Sequence, residues 1–155
     1  MKKLFISALA GAMVTSSLIT GAYAAETQVF AVNESHAYGA TTEATQIETG
    51  IDGISLSIGA DSEWKYSKDT SGGSQFTGRI NGKDSPNIDS QKGTYYAISV
   101  DDSILAGNLD ITYQIGKGKG LVVMDGSSSL YESENYSDKK TDSYSFMAEG
   151  GHTYY

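Results

Sequence analysis

Polar and apolar residues alternate without interruption from Asn108 to Ile115: Asn108, Asp110, Thr112 and Gln114 interleave with Leu109, Ile111, Tyr113 and Ile115. A period of two belongs to a β-strand with one buried and one wet face. The stretch Gly93 to Gly126 reads as three consecutive antiparallel strands, Thr94–Val100, Asn108–Ile115 and Leu121–Asp125. Shorter runs predict strands at Thr27–Val32, Gln46–Thr49, Gly53–Ile58, Glu63–Ser67, Gln75–Ile80 and Ser143–Ala148. Breaks fall at Gly50–Gly53, Ser71–Gly73, Asn81–Gly93 and Gly116–Gly120, where residues tolerate positive φ or form Asx turns. Ile98 and Val100 set the inward face of their strand, which places Tyr96 inward and Tyr95 outward.

The first 24 residues obey a different pattern. Lys2 and Lys3 open it, an apolar stretch runs from Leu4 to Ile19, and Ala22-Tyr23-Ala24 supplies a small-x-small cleavage site. The reading is a signal peptide over residues 1–24 and a single β-sandwich domain over residues 25–155. An uncleaved membrane anchor fits less well, because Gly11, Thr15, Ser16 and Ser17 interrupt the apolar run. Cysteine-linked acylation is excluded, as are disulfides and thiolate metal sites, because the chain has no cysteine. The expected destination is outside the cell or on its surface, with the periplasm as the alternative.

Eighteen glycines, eleven tyrosines and the single proline, Pro86, describe short strands joined by tight turns, and no helical period is sustained beyond the leader. The expected fold is all-β, an antiparallel jelly-roll-like β-sandwich. Losing Lys2 and Lys3 with the leader takes the formal charge from −8 to −10. Such a surface repels nucleic acid and anionic lipid, and also acidic polysaccharide unless a basic patch or a bridging cation intervenes. No membrane partner is expected after cleavage.

Four stretches carry a resemblance. The order Ile80-Asn81-Gly82-Lys83-Asp84-Ser85-Pro86-Asn87, then Gly93-Thr94-Tyr95-Tyr96, then Gly107-Asn108-Leu109 and Asp125-Gly126 resembles jelly-roll β-sandwich domains of secreted gut and rumen bacterial proteins. Those domains are often appended to pectate lyases and other polysaccharide-degrading enzymes. The resemblance runs from Thr27 to the C-terminus and is strongest from Phe76 onward. It implies a carbohydrate-associated role. In that family the strand like His152-Thr153-Tyr154-Tyr155 is usually followed by a glycine-rich apolar one. The expectation here is therefore either a short edge strand at Thr153–Tyr155 or a sandwich lacking its last strand, since a strand normally takes about five or six residues.

Aromatic rings stack on the apolar faces of sugars, so exposed Trp or Tyr on a sandwich is the first sign of glycan binding. Trp64 and Tyr66 share a face two residues apart, and Tyr95 lies opposite the inward Tyr96. The competing reading makes them core or rim. Trp64, Tyr66 and Tyr95 are the stacking candidates, with Asp84 and Asn87 for hydroxyl hydrogen bonds. Tyr131 and Tyr136 fall in a polar segment, Ser127–Thr141, read as a solvent-facing loop. Asp84, Asp89, Asp101, Asp102 and Asp125 lie in or beside loops, where they are turn formers or ligands for a structural Ca²⁺; no other cofactor is expected. His36 and His152 have no metal-motif spacing, and no Gly-x-Ser-x-Gly elbow is present. Gly116-Lys117-Gly118-Lys119-Gly120 reads as a hairpin turn with solvated lysines.

These readings converge on a secreted, non-catalytic, carbohydrate-binding-module-like sandwich. Two alternatives stay open: a structural or adhesive assembly subunit that accepts a strand from a partner or downstream module, and a fragment of a secreted polysaccharide lyase.

Overall fold

The computed structural model describes residues 43–60 and 85–155 in full, and the backbone of five further strands. In chain order the strands are β1 (Lys2–Phe5), β2 (Met13–Leu18), β3 (Gln28–Ala31), β4 (Thr45–Ile47), β5 (Ile54–Ile58), β6 (Lys65–Ser67) and β7 (Arg79–Asn81). They continue as β8 (Tyr96–Val100), β9 (Ala106–Ile115), β10 (Val122–Asp125), β11 (Ser128–Glu132), β12 (Lys140–Glu149) and β13 (Thr153–Tyr154). The described residues contain no helix, so the protein is an all-β sandwich.

One layer is a wholly antiparallel six-stranded sheet in the order β11-β10-β13-β8-β5-β4. The second has the order β12-β9-β2-β1-β3, with β12 and β9 antiparallel along ten residue pairs. β6 and β7 form a separate two-stranded ribbon. The alternation seen in the sequence decides which residues meet. Leu109, Ile111, Tyr113 and Ile115 of β9 and Ile54, Leu56, Ile58, Tyr96, Ile98 and Val100 of β5 and β8 belong to one buried cluster. Each such side chain contributes about 1.5–3 kcal/mol on burial.

At one end of the core, Tyr113 Oη and Tyr136 Oη are 3.1 Å apart, and Tyr136 donates to Asp142 Oδ2 at 3.3 Å. Lys140 closes this network, with Nζ 2.8 Å from Asp142 Oδ2 and 4.6 Å from the centre of the Tyr136 ring. Tyr136 is only 6% exposed, which corrects its expected place on a solvent-facing loop. Its hydroxyl finds partners inside, and this makes the burial affordable.

The same polar segment contains an unexpected strand, β11. Gly126 adopts φ +55° in the two-residue connection Gly126-Ser127, and β11 folds back on β10. Gly126-Ser127, with glycine at the first central position and positive φ there alone, is the hairpin signal. The end of the chain also differs from the expected edge strand. Thr153 and Tyr154 lie inside the six-stranded sheet, opposite Ser99 and Ile98 of β8, while Tyr154 also faces Asp125 of β10. Met124 and Tyr155 exchange backbone hydrogen bonds at 2.8 and 2.9 Å.

Gly150-Gly151 carries the chain from β12 in one layer to β13 in the other. A Cβ at Gly150 would collide with the Ile104 carbonyl oxygen, and Gly151 adopts φ +79°. Only glycine fits this close a crossing without displacing backbone.

Candidate functional site

The outer face of the six-stranded sheet follows from the same alternation that builds the core. In Ile54-Ser55-Leu56-Ser57-Ile58 the isoleucines and leucine point inward, so the serines share the opposite face. Ser55 pairs with Ser99, and Ser99 with Thr153, which sets three hydroxyls in one row across β5, β8 and β13. Ser99 Oγ and Thr153 Oγ1 are 2.9 Å apart. The next row is Gln46, Ser57 and Ala97, and Tyr155 follows directly on Tyr154, which pairs with Ile98 of β8. All three paired serines and Thr153 are half-buried, Gln46 is exposed, and Ala97 forms a low floor.

Tyr155 stands beside that floor as a half-buried ring, its centroid 5.9 Å from that of Tyr95 in an edge-on contact. Tyr95 itself is only 8% exposed. A Cβ at Gly59 would meet the Tyr95 ring at 2.6 Å, so the glycine makes the space in which that ring lies. Burial, and then the neighbouring Tyr155, push the Tyr95 hydroxyl's pKa up. Tyr95 therefore does lie on the outer side, yet it is not the open platform expected of it; Tyr155 has the more accessible ring.

An open depression of about 340 Å³, bordered by Gly53, Ser55, Ser99 and Asp101 among others, ends the hydroxyl row. The Asp101 carboxylate accepts a hydrogen bond from the Ser103 amide at 2.8 Å. Hydrogen bonds from the Ser103 side chain and backbone hold its pKa below the ordinary carboxylate value. An ionised acid thus marks one end of the face. Apolar residues flank the other side: Val122 of β10 is 47% exposed and Leu130 of β11 is 40% exposed.

The remaining expected ligand residues divide. Asn87 is exposed, but its Oδ1 accepts from the Ser90 amide at 3.1 Å within the turn Asn87–Lys92. That turn is bridged to Ala60 next to the Tyr95 contact, so Asn87 and Tyr95 share one end of the sheet. Trp64 and Asp84 lie outside the described residues, and of Tyr66 only the backbone, paired with Ile80, is described. Of the carboxylates considered for Ca²⁺, Asp89, Asp101 and Asp102 are exposed, and Asp125 pairs with His152 instead. No group of three histidine, aspartate or glutamate side chains that could hold a metal occurs among the described residues.

His152 is a second polar focus on the inner side. Its Nδ1 lies 2.9 Å from Asp125 Oδ2, and its Nε2 lies 3.8 Å from Glu149 Oε2. It ends a row of rings, Tyr131, Tyr144, Phe146, Tyr154 and His152, in which each ring contacts the next. The Tyr131 and Tyr144 centroids are 4.3 Å apart and the ring planes are nearly parallel, so these rings cover one another's faces. The row closes the margin between the layers. It does not offer a flat surface to a sugar, and both histidine nitrogens face carboxylates.

The site-forming serines were visible in the sequence as alternating positions, but their assembly into rows depends on pairing between strands 44 residues apart, Ser55 with Ser99. Comparison of this chain with protein-family models, curated proteins and solved structures gives no match.

Proposed function

We propose that this protein is a secreted, non-catalytic glycan-binding β-sandwich that takes a neutral polysaccharide on the outer face of its six-stranded sheet. The observation that carries the reading is the cross-strand hydroxyl row Ser55–Ser99–Thr153, with the pair Ser57–Ala97 and the Tyr155 ring next to it. A hydroxyl both donates and accepts, so a row of them matches the alternating donors and acceptors of sugar hydroxyls. The Tyr155 ring beside the low Ala97 floor supplies the apolar surface for a pyranose face. Excess negative charge and the ionised Asp101 at the end of the row select against acidic chains.

Retention on immobilised neutral and acidic polysaccharides tests this reading. Retention on one neutral class, weakened about tenfold by Tyr155→Ala and by Ser99→Ala in folded protein, is the expected result. Unchanged retention in both variants, with circular dichroism like that of the parent, would exclude the face as the binding site.

A further inference from the structure

The backbone pairing around β9 does not close for a chain that has lost residues 1–24. β12 occupies one edge of β9 along its whole length. On the other edge, β2 registers against Gly107–Thr112 and β1 against Asn108–Asp110. Both belong to the leader. β3 in turn is hydrogen-bonded to β1, with Val29 opposite Phe5. Excising the leader therefore removes the partner of Gln28–Ala31 and the partner of Gly107–Thr112 in one event.

We propose that in the chain without its leader Gln28–Ala31 pairs directly with the edge of β9 that β1 and β2 occupy in the full chain. The inference rests on residues 1–24 being a cleaved signal peptide. It is independent of the glycan-binding reading. β1 runs parallel to both β3 and β9, so β3 already runs parallel to β9 and reaches it by translation without reversing. Val29 and Asp110 both face Phe5, which gives the register: Val29 opposite Asp110 and Ala31 opposite Thr112. Strands are spaced about 4.8 Å apart, so crossing one or two vacated positions takes about 5–10 Å. The 13 residues between Ala31 and Thr45 can span up to about 40 Å, so the tether permits the move.

The choice of the same chain over a second copy follows from concentration. A strand tethered by a short linker acts at an effective concentration in the millimolar range, above that of a second copy at micromolar protein. Leaving the edge bare is the costly alternative. Unpaired backbone groups along Gly107–Thr112 would meet no partner in the sheet and would template association with other chains.

The full chain, leader included, is expressed in an exporting bacterial host with Ala31→Cys and Thr112→Cys. The natural protein has no cysteine, so a short bismaleimide can join only these two positions. The expected product begins at Ala25 and carries the bridge within one chain, while mixed single-cysteine variants give little dimer. A bridge found only between chains, or none in a processed and folded chain, overturns the proposal. A retained leader overturns it too, and intact mass distinguishes that failure from the others. Amide exchange on the unsubstituted processed protein provides the second test. Phe30→Pro should speed exchange at the free-side amides of Gly107–Thr112 by about tenfold and spare those bonded to β12. Equal exchange in both proteins would refute the pairing.

Discussion

The two faces of the six-stranded sheet are made by alternate residues of the same strands, and they follow opposite rules. Inward, Ile54, Leu56, Ile58, Ile98 and Val100 are large, apolar and sealed against β9. Outward, Ser55, Ser57, Ala97, Ser99 and Thr153 are small, and most are hydroxylated. The inner face supplies stability. On the outer face Tyr95 packs against Gly59 and Tyr155, but the short hydroxyl side chains bury little apolar area and add little to packing. Ordered hydroxyls that packing does not call for, beside a tyrosine ring, are where a ligand is best sought.

The comparison breaks most forcefully on the inner side. Leu56→Ala removes a side chain that is only 2% exposed, from the centre of the cluster. The expected loss is about 2–5 kcal/mol, the lost transfer energy plus the cavity left behind. Denaturant titration should show an earlier midpoint with little change in slope. If Leu56→Ala proves as stable as the parent, the two layers are not packed as described.

A second pair of changes sets like bonds against each other. Tyr113 and Tyr136 share a hydroxyl contact at 3.1 Å inside, and Ser99 and Thr153 share one at 2.9 Å outside. Tyr136→Phe strips the fully buried Tyr113 hydroxyl of that partner and leaves it Tyr131, and the loss of one such hydrogen bond costs about 0.5–1.5 kcal/mol. Thr153→Ala leaves Ser99 half-exposed and able to turn to water, so its cost should stay within about 0.5 kcal/mol. Equal losses in the two variants would mean that the outer hydroxyls are structural.

How much of this was legible in the sequence differs between the two faces for a physical reason. Period-two patterning announced β5, β8 and β9 and the inward direction of Tyr96, but Asp110 and Gln114, read as part of the wet face of β9, are buried. Tyr95 shows where the pattern stops helping. Its outward direction was readable, but its burial depends on Gly59, just past the end of β5, and on Tyr155, just past the end of β13. The reading of Tyr136 as solvent-facing failed in the same way, since its partners Tyr113 and Asp142 come from β9 and β12. β13 was harder still. Two residues carry no period, and their interior place is fixed by β8 and β10 on either side.

The smallest expected effect concerns charge at the mouth of the inner network. Contact with Lys140, followed by the Ser143 amide, holds the Asp142 pKa below its ordinary value, in spite of partial desolvation. Because the folded state binds this proton less readily than the unfolded chain does, Asp142 stabilises the fold above the unfolded carboxylate pKa of about 3.9. That contribution fades as pH falls through the depressed folded value. The pair is largely exposed, so screening by water and salt keeps it small. Melting temperature followed from about pH 5 down to about pH 3 should fall less steeply in Asp142→Asn than in the parent. Outward, Asp101 is likewise depressed, by Ser103, and gives a control on the other face. If Asp142→Asn leaves the slope unchanged while Asp101→Asn flattens it, the acid response belongs to the end of the hydroxyl row, and the Tyr136–Asp142–Lys140 network is held together by its buried hydroxyls alone.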